Sequence, residues 1–141
     1  MSPSQGSPSI SIILPTYNGA TYIRESLDSC LNQSFQDLEL IVVVDGSTDD
    51  TEAILSSYSD PRLHVFKQDN QGLAVALNAG SAQARGRFLS WTSDDNIYLP
   101  EAMAVMWQHL QEHPQAAMVC TDCLVIDDSG KIGRASCRER V

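Results

Sequence analysis

No apolar run in this 141-residue chain approaches the length needed to cross a membrane. The Ser/Pro/Gly-rich start, Met1 to Ser9, lacks the basic head and apolar stretch of a signal peptide. A membrane-spanning segment within this chain is therefore excluded; residues 1–9 read as a flexible lead, and the compartment expected is cytoplasmic. Basic side chains are equally scarce. With Lys131, Arg134, Arg138, Arg140 and Glu139 set aside, residues 1–130 carry 5 basic against 17 acidic groups. Nucleic acid is thus no partner, because too few cations exist to displace its counterions. Any phosphate-bearing ligand must find positive charge in a metal ion or in backbone N–H groups and helix N-termini. The four cysteines, Cys30, Cys120, Cys123 and Cys137, form no dense disulfide framework.

His109, His113, Cys120 and Cys123 follow the order of a zinc site. The two cysteines, however, fall in an apolar run, Ala116 to Ile126, that reads as a strand and would turn them to opposite faces. Histidines ahead of Pro114 are ordinary at a helix end. These four residues are read as structural.

What the chain does have is Thr92-Ser93-Asp94-Asp95-Asn96 directly after a short apolar run, Phe88 to Trp91. Adjacent carboxylates at a strand mouth repel and lose solvation. A hard divalent cation such as Mg²⁺ or Mn²⁺ relieves that cost, taking oxygen ligands and bridging to phosphate. An Asp-Asp turn with Asn as breaker is the plainer alternative.

Around this pair the pattern alternates. Strands are expected at Ile10–Leu14 (ended by Pro15), Leu38–Val44, Leu63–Phe66, Arg87–Trp91 and Ala116–Ile126. Helices are expected at about Thr21–Gln33, from the Asp45–Asp49 break through Tyr58, at Gln71–Ala84, and from Pro100 through His113, the last burying Met103, Val105, Met106 and Leu110. This alternation predicts an α/β fold: a Rossmann-like, mostly parallel sheet flanked by helices. Ligands of such sheets bind beyond the carboxyl ends of the strands. Four polar, turn-forming segments emerge there, Pro15–Asn18, Asp45–Asp49, Asp69–Gly72 and Thr92–Asn96, and should converge on one crevice.

Several chemistries fail at the first turn. Pro15-Thr16-Tyr17-Asn18-Gly19 has neither the Gly-x-Gly-x-x-Gly of a dinucleotide site nor a P-loop, and no aspartyl nucleophile follows the first strand. A metal-using nucleotide-sugar site remains, or a non-catalytic binding module on the same scaffold.

Taken in order, Ile13-Leu14-Pro15-Thr16-Tyr17-Asn18, Val43-Val44-Asp45-Gly46-Ser47-Thr48-Asp49, Asn70-Gln71-Gly72 with Asn78-Ala79-Gly80, and Ser93-Asp94-Asp95 resemble the successive motifs of family-2 inverting glycosyltransferases of GT-A fold. Thr92 to Pro100 is especially similar to the branch that includes spore-coat polysaccharide enzymes. The resemblance spans Ile10 to Ile126. It implies transfer of a sugar, with inversion, from a nucleotide-diphosphate donor, most often UDP, to a glycan, lipid-linked or other hydroxyl acceptor, with Mn²⁺ or Mg²⁺ as cofactor. By position it implies nucleotide-binding roles for Pro15, Thr16, Tyr17, Asn18, Asp45, Gly46, Ser47, Asn70, Gly72 and Asp94. Tyr17 would offer an aromatic face and Asp45 would accept from the base N–H. Asp94 and Asp95 would hold the metal. The pattern departs at Thr92, where the family usually has Asp, and at Leu77, where many relatives carry a basic residue. The family's catalytic base lies downstream of this chain's last residue, so the expected domain, residues 10–130, holds the donor half alone. Residues 131–141 reverse the charge of everything before them, and Ile132 to Val141 resembles the translation of a sequencing adapter. That tail is expected to be artefactual.

Overall fold

The computed structural model describes residues 6–133. The expected lead is therefore covered only from Gly6, and residues 134–141 of the expected tail lie outside the described residues. Among the described residues, 6–103 form one compact unit and 104–133 a second.

The first unit is built on four parallel strands in the order β3-β2-β1-β4. They are β1 (Ile10–Thr16), β2 (Leu38–Asp45), β3 (Leu63–Gln68) and β4 (Phe88–Trp91), joined through α1 (Ile23–Leu31), α2 (Thr51–Ser56) and α3 (Leu73–Gln83). β1 and β2 are buried along their whole length, which is why both read as continuous apolar runs. Successive side chains alternate between sheet faces. On one face Ile13, Ile41 and Val43 pack with Ala76 of α3, joined by Leu77, Ala79 and Ala84. Leu77, partly buried, therefore packs against the core. α3 lies close to the sheet because Gly80 faces it: a Cβ there would sit 2.5 Å from Ile13 Cγ2 and 3.1 Å from Val43 Cγ2. α1 buries Ile23, Leu27, Cys30 and Leu31. Burial pushes the Cys30 thiol up to about 12, so it is a packed, unreactive group.

Three expectations change. Pro15 does not end β1, which continues to Thr16 in register with Val44. Ile13 turns its carbonyl to the β4 side, accepting from the Thr92 N–H, and Pro15, two residues on, faces the same way. The β1–β4 register stops at Ile13–Trp91, so the missing Pro15 N–H costs no ladder bond. Second, Ala116–Ile126 is not a strand. Among the described residues its one β contact is an antiparallel bridge from Ile126 to Ile132, and Met118, Leu124 and Val125 are exposed. An apolar run becomes a strand only when an edge accepts it. Third, α4 (Ala102–Glu112) starts two residues after Pro100 and buries Met103, whereas Val105 is exposed. Among the described residues no helix is long and apolar enough to cross a membrane.

Candidate nucleotide-sugar site

The polar segments at the carboxyl edge of the sheet are tied to one another by side-chain hydrogen bonds. Thr16, the buried last residue of β1, donates from Oγ1 to Asp94 Oδ2 at 2.5 Å. Asn18 adopts φ 52°, a left-handed conformation that Asn tolerates. There it receives the Thr48 N–H on Oδ1 at 2.7 Å, while its own N–H donates to Ser47 Oγ at 3.0 Å. Asp49 extends the clasp, accepting from the Ala20 N–H on Oδ2 and from the Thr51 N–H and hydroxyl on Oδ1. The turn after β1 is thereby fastened to the turn after β2.

Asp45, the buried end of β2, fastens the next segment. Its Oδ1 accepts from Gln68 Nε2 and the Gln71 N–H, and its Oδ2 from the Gly72 N–H, all within 2.8–2.9 Å. Burial alone would raise this carboxyl; the three donors outweigh it and hold the group below the usual Asp range. Gly46 follows with φ +74°, and a Cβ there would meet the Asn70 backbone N at 2.8 Å. Only glycine lets the β2 turn and the Asn70 loop approach so closely.

Asp94 and Asp95 follow β4. Asp94 is half-buried and Asp95 exposed. Burial, and after it the neighbouring Asp95 charge, pushes the Asp94 carboxyl above its ordinary range, although the Thr16 hydroxyl and the Tyr17 N–H act in the opposite direction. Gly19 makes room for this carboxylate: a Cβ there would fall 2.2 Å from Asp94 Oδ2 and 2.5 Å from Thr16 Oγ1. Tyr17 stands open beside them, 54% exposed. All five basic side chains of residues 1–130 are engaged with other partners. Arg62 pairs with Asp60, Lys67 with Glu52 and Arg85 with Glu39, while Arg24 lies over the Tyr58 ring and Arg87 over Phe88.

The structure thus brings Asn18 against Ser47 and brings Thr16 and Tyr17 against Asp94, while Asp45 holds Gly72 and Gly46 lies close against Asn70; among the described residues it shows no contact for Pro15 at the site. It also shows supports that motif reading missed. Ser26 Oγ donates to the Ser93 carbonyl, Ser29 Oγ accepts from the Tyr98 N–H, and buried Gln33 bonds the Leu99 carbonyl and the Met103 N–H. Ser26 and Ser29 lie three apart on α1 and Gln33 four residues further on, two beyond the helix end, and that spacing of polar residues was the available signal.

A four-stranded parallel sheet of this kind, flanked by helices and presenting paired carboxylates at its carboxyl edge, is the glycosyltransferase GT-A fold. The family profile "Glycosyl transferase family 2" matches residues 11–139, and the chain belongs to that family. An uncharacterized glycosyltransferase of Rickettsia prowazekii is 48% identical over 94 residues, covering 67% of this chain and 29% of that protein. Among solved structures, Staphylococcus aureus TarS 1–349 in complex with UDP-GlcNAc superposes with a TM-score of 0.72 at 32% identity, covering 75% of this chain and 32% of TarS. The mannosyltransferase PcManGT of Pyrobaculum calidifontis, in complex with GDP-Man and Mn²⁺, gives 0.62 at 30% identity, covering 72% of this chain and 31% of that one. The chain spans less than a third of each of these relatives.

Proposed function

We propose that this domain binds the nucleotide-diphosphate sugar, UDP-linked by preference, of a metal-assisted inverting glycosyltransferase. The observation that carries the reading is the Asp94–Asp95 pair, with Asp94 held by Thr16 and neither carboxylate met by a cation, since every Lys and Arg of residues 1–130 is engaged with another group. An acidic surface repels a diphosphate, so a cation must mediate between them. The donor set suits one: two adjacent carboxylates, one of them held up in pKa by its surroundings, are oxygen ligands of the kind Mn²⁺ and Mg²⁺ prefer. Asp94 and Asp95 would hold the ion, whose chemical contribution when bound is to neutralise charge on the departing diphosphate. Thr16 keeps the Asp94 oxygen aimed, Tyr17 offers its ring to the base, and Asp45 keeps the Asn70–Gly72 loop in place with one acceptor position of its carboxylate left for a base N–H. The group that takes the acceptor's proton lies outside residues 6–133, and the acceptor is a glycan, lipid-linked or other hydroxyl compound. PcManGT with GDP-Man and TarS with UDP-GlcNAc share this scaffold, so the donor sugar is chosen by contacts beyond it.

The test is calorimetric titration of the chain with UDP, with Mn²⁺ present or with EDTA. Binding is expected only with the ion, and Asp94→Ala and Asp95→Ala should each lose roughly 1–3 kcal/mol of it. Equal affinity with EDTA would overturn the metal-mediated reading. Metal-dependent binding without sugar transfer, even when residues beyond this chain are supplied, would favour the non-catalytic module. Deleting residues 132–141 is expected to leave UDP binding unchanged.

A further inference from the structure

The last turn of α4 carries a cluster that the proposed donor site does not use. His109, Glu112 and His113 are all exposed, and one ligand atom from each lies within 4.8 Å of the others. Offsets of three and four residues place them on one helix face. The two imidazoles stack with centroids 4.8 Å apart and planes 27° from parallel.

Two further contacts bear on their capacity as ligands, and the stacked rings must rotate about their side-chain torsions before both in-plane nitrogens face one ion. His113 Nδ1 lies 3.0 Å from the His109 carbonyl oxygen. A carbonyl can only accept, so Nδ1 carries the proton and Nε2 keeps the lone pair, the tautomer selected behind most metal-bound histidines. Gln108 Nε2 donates to Glu112 Oε1 at 2.7 Å, steadying that carboxylate and leaving Oε2 free to coordinate. The cluster also sits at a helix C-terminus, where the outward carbonyls favour positive charge.

We infer that the C-terminal turn of α4 is a binding site for one divalent transition-metal ion, with His109 and His113 as nitrogen ligands and Glu112 as an oxygen ligand. Water completes the coordination shell, since all three side chains face solvent. Imidazole nitrogen suits Zn²⁺, Ni²⁺ or Cu²⁺, whereas the all-oxygen pair Asp94–Asp95 suits Mg²⁺ or Mn²⁺, so the two sites select different ions. Cys120 and Cys123, which share the sequence order of a zinc site with these histidines, are exposed and stand outside the cluster. Ion binding staples the last helical turn just before Pro114.

The experiment is calorimetric titration of the 141-residue chain with Zn²⁺ alone, at a pH of about 7.5. One equivalent should bind. His109→Ala and His113→Ala should each weaken binding about tenfold or more, and Gln108→Ala less, all with unchanged far-ultraviolet circular dichroism. Cys120→Ser/Cys123→Ser and Asp94→Ala/Asp95→Ala should retain the parent affinity. No binding to the parent at about 1 mM Zn²⁺ overturns the proposal. So does binding that survives both histidine substitutions, or that disappears with the two cysteines.

Discussion

Asp94 and Gly19 are coupled although 75 residues separate them, because a Cβ at position 19 would occupy the space of the Asp94 carboxylate. The same Cβ would also press on the hydroxyl of buried Thr16, 2.5 Å away, so Gly19→Ala must displace the proposed ligand and disturb the Thr16–Asp94 hydrogen bond together. Mn²⁺-dependent UDP affinity is expected to fall about tenfold and the thermal midpoint to drop as well, as titration and melting of the same sample would show. Asp45 is a second such case, since binding and folding share its oxygens. Asp45→Ala orphans the Gln71 and Gly72 N–H groups, and should lower both stability, by roughly 1–3 kcal/mol, and UDP affinity. Asp45→Asn keeps one acceptor oxygen but sets an NH₂ against a donor, so it should fall between the parent and the alanine variant. Parent-like UDP affinity in both variants would make Asp45 a structural clasp alone. Neither coupling is visible in the motif text: Asp45 was legible as a strand end, but its three donors come from 23 to 27 residues downstream.

Periodicity placed every element of the first unit, because β1 and β2 are buried on both faces and read as unbroken apolar runs. It erred where a local rule met a tertiary exception. Pro15 reads as a strand stop, yet β4 has already ended beside it. Ala116–Ile126 reads as a strand, yet no described strand receives it. Gly80 lowers helix propensity locally, yet it is the close contact that seats α3 on the sheet. Gly80→Ala adds helix propensity worth up to about 1 kcal/mol but forces a methyl against Ile13, which is buried and cannot give way. Overpacking of this kind costs about 1–3 kcal/mol, so a net loss is expected as a lower urea midpoint.

The amino end of the sheet holds a polar network that the apolar pattern of β2 conceals. Glu39 is 2% exposed and in register with Ser11, whose hydroxyl donates to Glu39 Oε1 at 2.6 Å. The Arg85 backbone N–H donates to the same oxygen, and its guanidinium reaches Oε2 at 2.7 and 3.0 Å. Burial works to raise this carboxyl, but the donors prevail and hold it below its ordinary 4.5. A depressed carboxyl stabilises the fold fully above its ordinary value, and that stability is lost as pH falls through the native value. Urea midpoints measured from about pH 7 down to about pH 3 should therefore drop below about pH 4.5, and Glu39→Gln should flatten that part of the curve. Glu39→Ala, which leaves the Arg85 and Ser11 donors unpaired, should cost about 2–3 kcal/mol at neutral pH.

Local chemistry was enough to determine the alternation of strands and helices, the acidic balance, the four polar turns and the family, because burial period, charge and turn residues are written into neighbouring positions. Partnership was not. Asp94 with Thr16 and Gly19, Asp45 with the Asn70–Gly72 loop, Glu39 with Arg85, and the stripe of Ser26, Ser29 and Gln33 beneath the Asp94 segment each join residues far apart in the chain. Such pairs form only when the sheet brings its strand ends together, and a hydrogen bond of about 3 Å depends on a register and a close approach that no local pattern encodes.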